Sequence, residues 1–179
     1  MTPRSFTLKP FPGEAPRFPL EITGAIARRA HILALRYELR GDLAAVALPG
    51  SPDRPARRDG LWQETCFEFF LATRNSPQYW EFNLSPAGHW NVYAFQAYRR
   101  GMHEEPALAA LPFTVLREAA SLLLTLKVDV AGLIPPDQRL NIAIAAVIKS
   151  QDGALTYWAL THPGPQADFH RRDAFIIGL

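Results

Sequence analysis

The sequence predicts an all-β protein: a two-sheet antiparallel β-sandwich of the immunoglobulin-like or jelly-roll kind, with few short helices, forming one domain over residues 1–179. Three observations predict it. Apolar residues recur with a period of two along most of the chain, the spacing of a strand with one covered face. Sixteen prolines punctuate the apolar runs, and proline belongs at edges, turns and loop bends. Short turn-forming clusters separate successive runs, which favours antiparallel neighbours. A closed, lipocalin-like barrel is the alternative way to arrange about a dozen short strands around one core.

In chain order, Ile22–Ala27 pairs with the run from Ile32 as a hairpin turning near Arg29-Ala30. Leu33, Leu35, Tyr37 and Leu39 alternate with Ala34, Arg36, Glu38 and Arg40, so Leu33–Arg40 is a strand with one wet face. Pro49–Gly60, PGSPDRPARRDG, is the clearest long loop. Leu61–Leu71 and Tyr79–Leu84 are strands divided by the turn cluster Thr73–Pro77. Ser85-Pro86-Ala87-Gly88 then turns the chain into a strand over His89–Arg99. Glu104–Leu111 is expected to make one or two helical turns. Val115–Leu126 has good helix formers, but the alternation of Leu122, Leu124, Leu126, Val128 and Val130 favours strand. Residues 140–149, LNIAIAAVIK, are apolar on both sides and predict a central strand covered twice. Ala154–Leu160 and Ala174–Leu179 are shorter strands.

Composition narrows the function classes. Apolar residues make up 48% of the chain and can fill a core, and the net charge is only +2. Basic residues come in short pairs such as Arg28–Arg29 and Arg171–Arg172 rather than in a stripe, which argues against nucleic-acid binding. Cys66 is the only cysteine, so no internal disulfide forms, and its apolar setting predicts an inert, buried thiol. No run of about 18 apolar residues exists to span a membrane, and the start has no stretch of signal-peptide length. A cytoplasmic location is the expectation.

The densest cluster of functional side chains is residues 61–93, LWQETCFEFFLATRNSPQYWEFNLSPAGHWNVY, which hold Trp62, Trp80 and Trp90 among Glu64, Glu68, Glu81 and Asn83. Period two puts Trp62, Glu64, Cys66, Glu68 and Phe70 on one face of the first strand, and Glu81 and Asn83 together on the second. The expected site is a sheet face presenting Glu64, Glu68, Glu81, Asn83 and Gln96, bordered by Trp62, Trp90 and Tyr98. Indole plates beside carboxylates and amides suit a pyranose, whose C–H face stacks while its hydroxyls are held by the polar groups. The expected partner is therefore a small-molecule ligand, a carbohydrate or similar polar ring compound. A protein partner on the same flat aromatic face is the alternative.

Catalysis is less well supported. Glu64 and Glu68 lie about 13 Å apart by strand rise, against the ~5–5.5 Å of a retaining glycosidase. Cys66 stands where a helper carboxylate would be. Glu64 with Glu81 across neighbouring strands is the remaining carboxylate pair. No nucleophile elbow, phosphate loop or dinucleotide fingerprint is present. A second cluster, Trp158, His162, Asp168 and His170, has no tight metal-ligand spacing, although His170 beside Arg171 and Arg172 could meet an anionic group. For haem, Met102 with His170 or His162 is the available ligand pair. No cofactor is expected.

LWQETCFEFFL, YWEFNLSPAGHWNVYAF and YWALTHPGPQADFHRRDAF together resemble the bacterial DOMON-like domains related to family-9 carbohydrate-binding modules. The resemblance runs over nearly the whole chain. It implies a β-sandwich with a ligand pocket and no catalytic activity, whose relatives bind sugars between tryptophans or haem through Met and His. It points to Trp62, Glu64, Glu81, Asn83 and Trp90 as ligand-binding residues, with His170 farther out. No Met–His pair stands out clearly for haem, and no attached catalytic domain is expected.

Overall fold

Two antiparallel sheets face each other in a computed structural model that describes residues 2–50 and 54–179. The strands in chain order are β1 (Arg4–Thr7), β2 (Lys9–Pro10), β3 (Leu20–Arg29), β4 (Ile32–Gly41), β5 (Cys66–Thr73), β6 (Tyr79–Leu84) and β7 (Trp90–Phe95). They continue with β8 (His103–Glu104), β9 (Phe113–Arg117), β10 (Ser121–Asp129), β11 (Leu140–Lys149), β12 (Leu155–Ala159) and β13 (Ile177–Gly178). The smaller sheet runs β1-β3-β4-β10-β9. The larger runs β2-β12-β11-β5-β6-β7-β8, with β13 pairing β11. The two orders do not join end to end, so the molecule is a sandwich and not a closed barrel.

Alternation decides which side chains fill the space between the sheets. From the smaller sheet, Ile22, Leu35, Tyr37, Leu39 and Leu124 are each no more than 2% exposed. From the larger, Phe67, Phe69, Phe82, Trp80, Trp90 and Trp158 meet them. Phe69 and Phe82 stack with centroids 4.3 Å apart. Each such ring contributes roughly 2–3 kcal/mol by leaving water. The Tyr37 hydroxyl crosses the interior and donates to the Glu68 carbonyl at 2.6 Å, which ties one sheet to the other.

The β3–β4 hairpin turns at Ala30-His31, with Ala30 in the left-handed region at φ 53°, next to the expected position. The β10 alternation holds, and the helix-forming run before it divides into β9 and β10 around a turn at 118–120. β11 lies between β12 and β5 with both faces covered, as its sequence predicts.

Several expectations need correction. Leu61–Gln63 is a 3₁₀ turn, and β5 starts only at Cys66. The strand expected to reach Arg99 ends at Phe95, followed by a tight turn with Arg99 at φ 52°. No helix forms over Glu104–Leu111, and the described residues contain three 3₁₀ turns and no α-helix. None of these turns is long and apolar enough to cross a membrane. Of Ala174–Leu179, only Ile177–Gly178 is strand. The short β1 and β2 carry too few alternating positions to stand out in the sequence. Part of the Pro49–Gly60 loop, residues 51–53, lies outside the described residues. Its described end is held by Arg57, whose guanidinium lies 4.4 Å above the Trp90 ring and donates to Asn91 Oδ1 at 2.9 Å.

Candidate functional site

The outer face of the larger sheet is covered by chain rather than by water. Strand register sets its pattern. One row across the face reads Ala145, Glu68, Asn83, Asn91, and the next reads Ala143, Phe70, Glu81, Tyr93. Residues 160–176 run back over these rows as a strap. Phe175, Phe169 and Trp62 pack there with Phe70, Tyr79 and Phe95 in a second apolar cluster separate from the interior. Small side chains on the inner strands, Ala143, Ala145 and Ala159, leave room for the strap to seat. Arg172 clips it in place by donating to the Thr73 carbonyl at 3.0 Å.

Between strap and sheet lies a cavity of about 520 Å³. Its floor includes Glu68, Glu81 and Val147, and aromatic walls come from Trp62, Phe95, Tyr157 and Phe169. His170, Arg99 and Met102 complete it from the strap and from the loop after β7. A volume of this size accommodates a small ring compound.

Two carboxyl groups sit in this floor where water scarcely reaches. Glu68 is 2% exposed, and its Oε1 has no hydrogen-bond partner. Burial first, and then the neighbouring Glu81, holds its carboxyl well above the usual range. Glu81 is 4% exposed, and burial raises it to about 7 even though Asn83 and Arg99 pull the other way. Asn83 Nδ2 donates to Glu81 Oε1 at 2.8 Å. Asn83 Oδ1 lies 3.6 Å from Cys66 Sγ, whose thiol burial pushes far up.

The histidine is oriented by a buried tyrosine. The Arg99 amide donates to Tyr79 Oη at 3.1 Å, and Tyr79 Oη lies 2.8 Å from His170 Nδ1. This contact fixes the plane of the imidazole ring and leaves its Nε2 edge turned away from Tyr79. His170 Nε2 lies 3.8 Å from Glu81 Oε2. The pair is not an ion pair at neutral pH, because burial, with help from Arg99, lowers the imidazole to about 4. A separation of 3.8 Å is too long for a direct hydrogen bond and leaves both groups free to turn to a ligand.

The expected site residues divide into those on the cavity and those elsewhere. Trp62, Glu81 and His170 line it, with Asn83 directly behind Glu81. Glu64 does not. The 3₁₀ turn breaks the alternation that would have aligned it with Glu68, and its carboxylate pairs instead with Lys149 Nζ at 2.7 Å. The Glu64/Glu81 catalytic pair therefore has no common site. Trp90 is also corrected. The β6–β7 register places Tyr93 beside Glu81, so Trp90 turns into the interior with Val92 and Ala94. Gln96 lies past the end of β7 and is exposed. Tyr98 is half exposed in the following turn, where its hydroxyl donates to Asp168 Oδ2 at 2.5 Å. Arg99 Nη2 donates to Asp168 Oδ1 at 2.8 Å, so Tyr98 fixes the strap rather than touching the cavity.

Within the C-terminal cluster, Trp158 is in the interior, and His162 Nε2 lies 2.9 Å from the Lys9 carbonyl, tying strap to β2. Among the described residues no three His, Cys, Asp or Glu are placed to hold a metal ion. Met102 and His170 both line the cavity.

Arg99, Tyr157 and Phe169 line the cavity without having been singled out in the sequence. One signal was available for β7. Asn91 and Tyr93 carry polar tips like Glu81 and Asn83, while Trp90, Val92 and Ala94 are wholly or mainly apolar.

No family model and no curated protein matches this chain. Among solved structures, a candidate carbohydrate-binding protein from Bacteroides uniformis superposes with a TM-score of 0.66 at 14% identity, over 96% of this chain and 84% of its own. A family-9 carbohydrate-binding module from Caldicellulosiruptor kristjanssonii, in complex with glucose, gives a TM-score of 0.44 at 8% identity, over 78% of this chain and 66% of its own. The same kind of module in complex with cellotriose gives 0.46 at 8% identity, over 78% and 65%. The first likeness shows that this two-sheet arrangement is shared with a protein of independently solved structure.

Proposed function

We propose that this chain is a non-catalytic binding module whose cavity takes a carbohydrate or a similarly polar ring compound. The observation that carries the reading is the pair of buried carboxyl groups, Glu68 and Glu81, opening into a cavity walled by Trp62, Phe95, Tyr157 and Phe169. Buried polar groups are costly unless partnered, so a floor that keeps Glu68 Oε1 unpartnered favours a ligand that brings its own donors. Rings on the walls suit the apolar face of a sugar, and the free edges of Glu81 and His170 suit its hydroxyls. The resemblance to DOMON-like domains supports the same reading, and so does the carbohydrate-binding description of the Bacteroides protein with the shared fold.

Calorimetric titration with glucose, short gluco-oligosaccharides and cyclic polyols tests it. Modest affinity is expected, since desolvating hydroxyls offsets much of the hydrogen-bond gain. Trp62→Ala is expected to weaken binding by roughly tenfold or more, from loss of a stacking wall. Heat of binding that is absent for every saccharide and polyol, or unchanged by Trp62→Ala, overturns the assignment.

A further inference from the structure

We propose that the cavity selects ring compounds bearing a protonated amine, an amino sugar above all, whose ammonium sits between the carboxylates of Glu68 and Glu81 while the ring lies against Trp62. The inference rests on the reading of the cavity as a saccharide site and names the ligand class more closely.

The polar groups of the cavity are segregated. Its floor carries two carboxyl groups: Glu68, whose buried Oε1 has no partner, and Glu81, whose Oε2 lies 3.8 Å from His170 Nε2. Donor side chains stand around it: Gln63 on the turn before β5, His170 on the strap, and Arg99 on the loop after β7, already engaged by Asp168. A neutral hydroxyl can donate to or accept from these carboxyl groups, but it brings no charge to offset their ionisation in a buried floor. A carboxylate or phosphate ligand would meet an acidic floor. An ammonium supplies both several N–H donors and the counter-charge that allows buried carboxylates to ionise. A metal ion is the other counter-charge, and the described residues provide no three-ligand group for it.

The remaining titratable neighbours do not oppose this. His170 is neutral near pH 7, because burial lowers it to about 4. Burial holds Cys66, Tyr37, Tyr79 and Tyr93 in their protonated, neutral forms. The Arg99 charge is balanced by Asp168 at 2.8 Å. Glu81, raised to about 7 in the empty cavity, is still partly protonated at neutral pH. An ammonium beside it lowers that value, so binding near pH 7 releases a proton.

Titration calorimetry near pH 7 with glucosamine, glucose and N-acetylglucosamine, in two buffers of different ionisation enthalpy, tests the proposal. Glucosamine is expected to bind at least about tenfold tighter than either neutral sugar, from the charge-assisted hydrogen bonds. Its binding heat is expected to differ between buffers in the sense of proton release. The ratio of glucosamine to glucose affinity is expected to fall toward one in Glu68→Gln. The acetylated sugar removes the charge from the ligand, so the comparison stands even if that variant fails to fold. Equal affinities for glucosamine and glucose overturn the amine proposal and leave the saccharide reading intact. No binding by any of the three overturns the amine proposal, and the saccharide reading falls with it only when the gluco-oligosaccharides and cyclic polyols also fail to bind.

Discussion

Glu81 and His170 sit 3.8 Å apart and pull stability in opposite directions as pH changes. The Glu81 carboxyl moves from 4.5 to about 7 on folding, so the folded state holds an extra proton between those values. Its contribution is complete below about pH 4.5 and is lost as pH rises through 7. The His170 imidazole moves from 6.5 to about 4, so its contribution is complete above pH 6.5 and is lost as pH falls through 4. Each displacement is worth about 3 kcal/mol. Glu68 is also raised and adds to the downward limb. Urea unfolding between about pH 5 and 7 is therefore expected to show stability falling most steeply with pH in His170→Gln. The fall is expected to be intermediate in the native chain and shallowest in Glu81→Gln. Identical slopes in the three proteins would refute this linkage. The tryptophans separate along a different line. Trp158→Ala removes a ring that is 4% exposed between the sheets and is expected to cost about 3–5 kcal/mol of stability. Trp62→Ala is expected to act on binding with little change in the unfolding midpoint. The sequence placed Glu81 and Asn83 on one face because β6 alternates cleanly, whereas His170 was named only through the family resemblance and its C-terminal cluster. Sequence alone placed Trp90 on the ligand face wrongly, because large rings occur on both faces of β7 and the polar tips of Asn91 and Tyr93 were not weighed.

At the level of strands and connections, two close fits carry the packing. Phe6 of the edge strand β1 lies across from Gly24 of β3. A Cβ at Gly24 would stand 2.1 Å from the Arg36 carbonyl oxygen and 2.4 Å from the Phe6 ring. Gly24→Ala is thus expected to destabilise by about 1–3 kcal/mol, with β1 amides losing hydrogen-exchange protection first. The second fit is the strap. Phe175 is 5% exposed and packs with centroids 5.9 Å from both Phe70 and Tyr79. Phe175→Ala is expected to cost about 3 kcal/mol, to speed exchange across residues 160–176 and to weaken binding, because the strap carries His170 and Phe169. The sequence showed the β3–β4 hairpin and β10 plainly, since their wet faces are marked by charged residues. It extended β5 back to Leu61 because the alternating letters continue through a turn whose backbone breaks the pattern. The strap was visible only as a cluster of histidines, prolines and arginines, and what it covers depends on contacts distant in the chain.

For the molecule as a whole, the division of labour between sheets explains why the site was only half legible. The smaller sheet has one apolar face, so its pattern reads directly as sandwich. The larger sheet is covered on both faces, by the interior and by the strap, so large apolar side chains occur on both faces of its strands and obscure which one holds the cavity. A ligand held between strap and sheet stabilises the folded state over the unfolded one. At a hundredfold excess over its Kd, about 2.7 kcal/mol of added stability is expected. A rise in Tm with increasing saccharide concentration, absent in Trp62→Ala, checks this. The open side of the smaller sheet has a practical consequence. The chain has three lysines, Lys9, Lys127 and Lys149, and Lys149 is paired with Glu64. Lys127 projects from β10 on the side of the sandwich opposite the cavity. Tethering to a sensor chip through that amine would leave the mouth of the chamber turned outward to the flowing analyte.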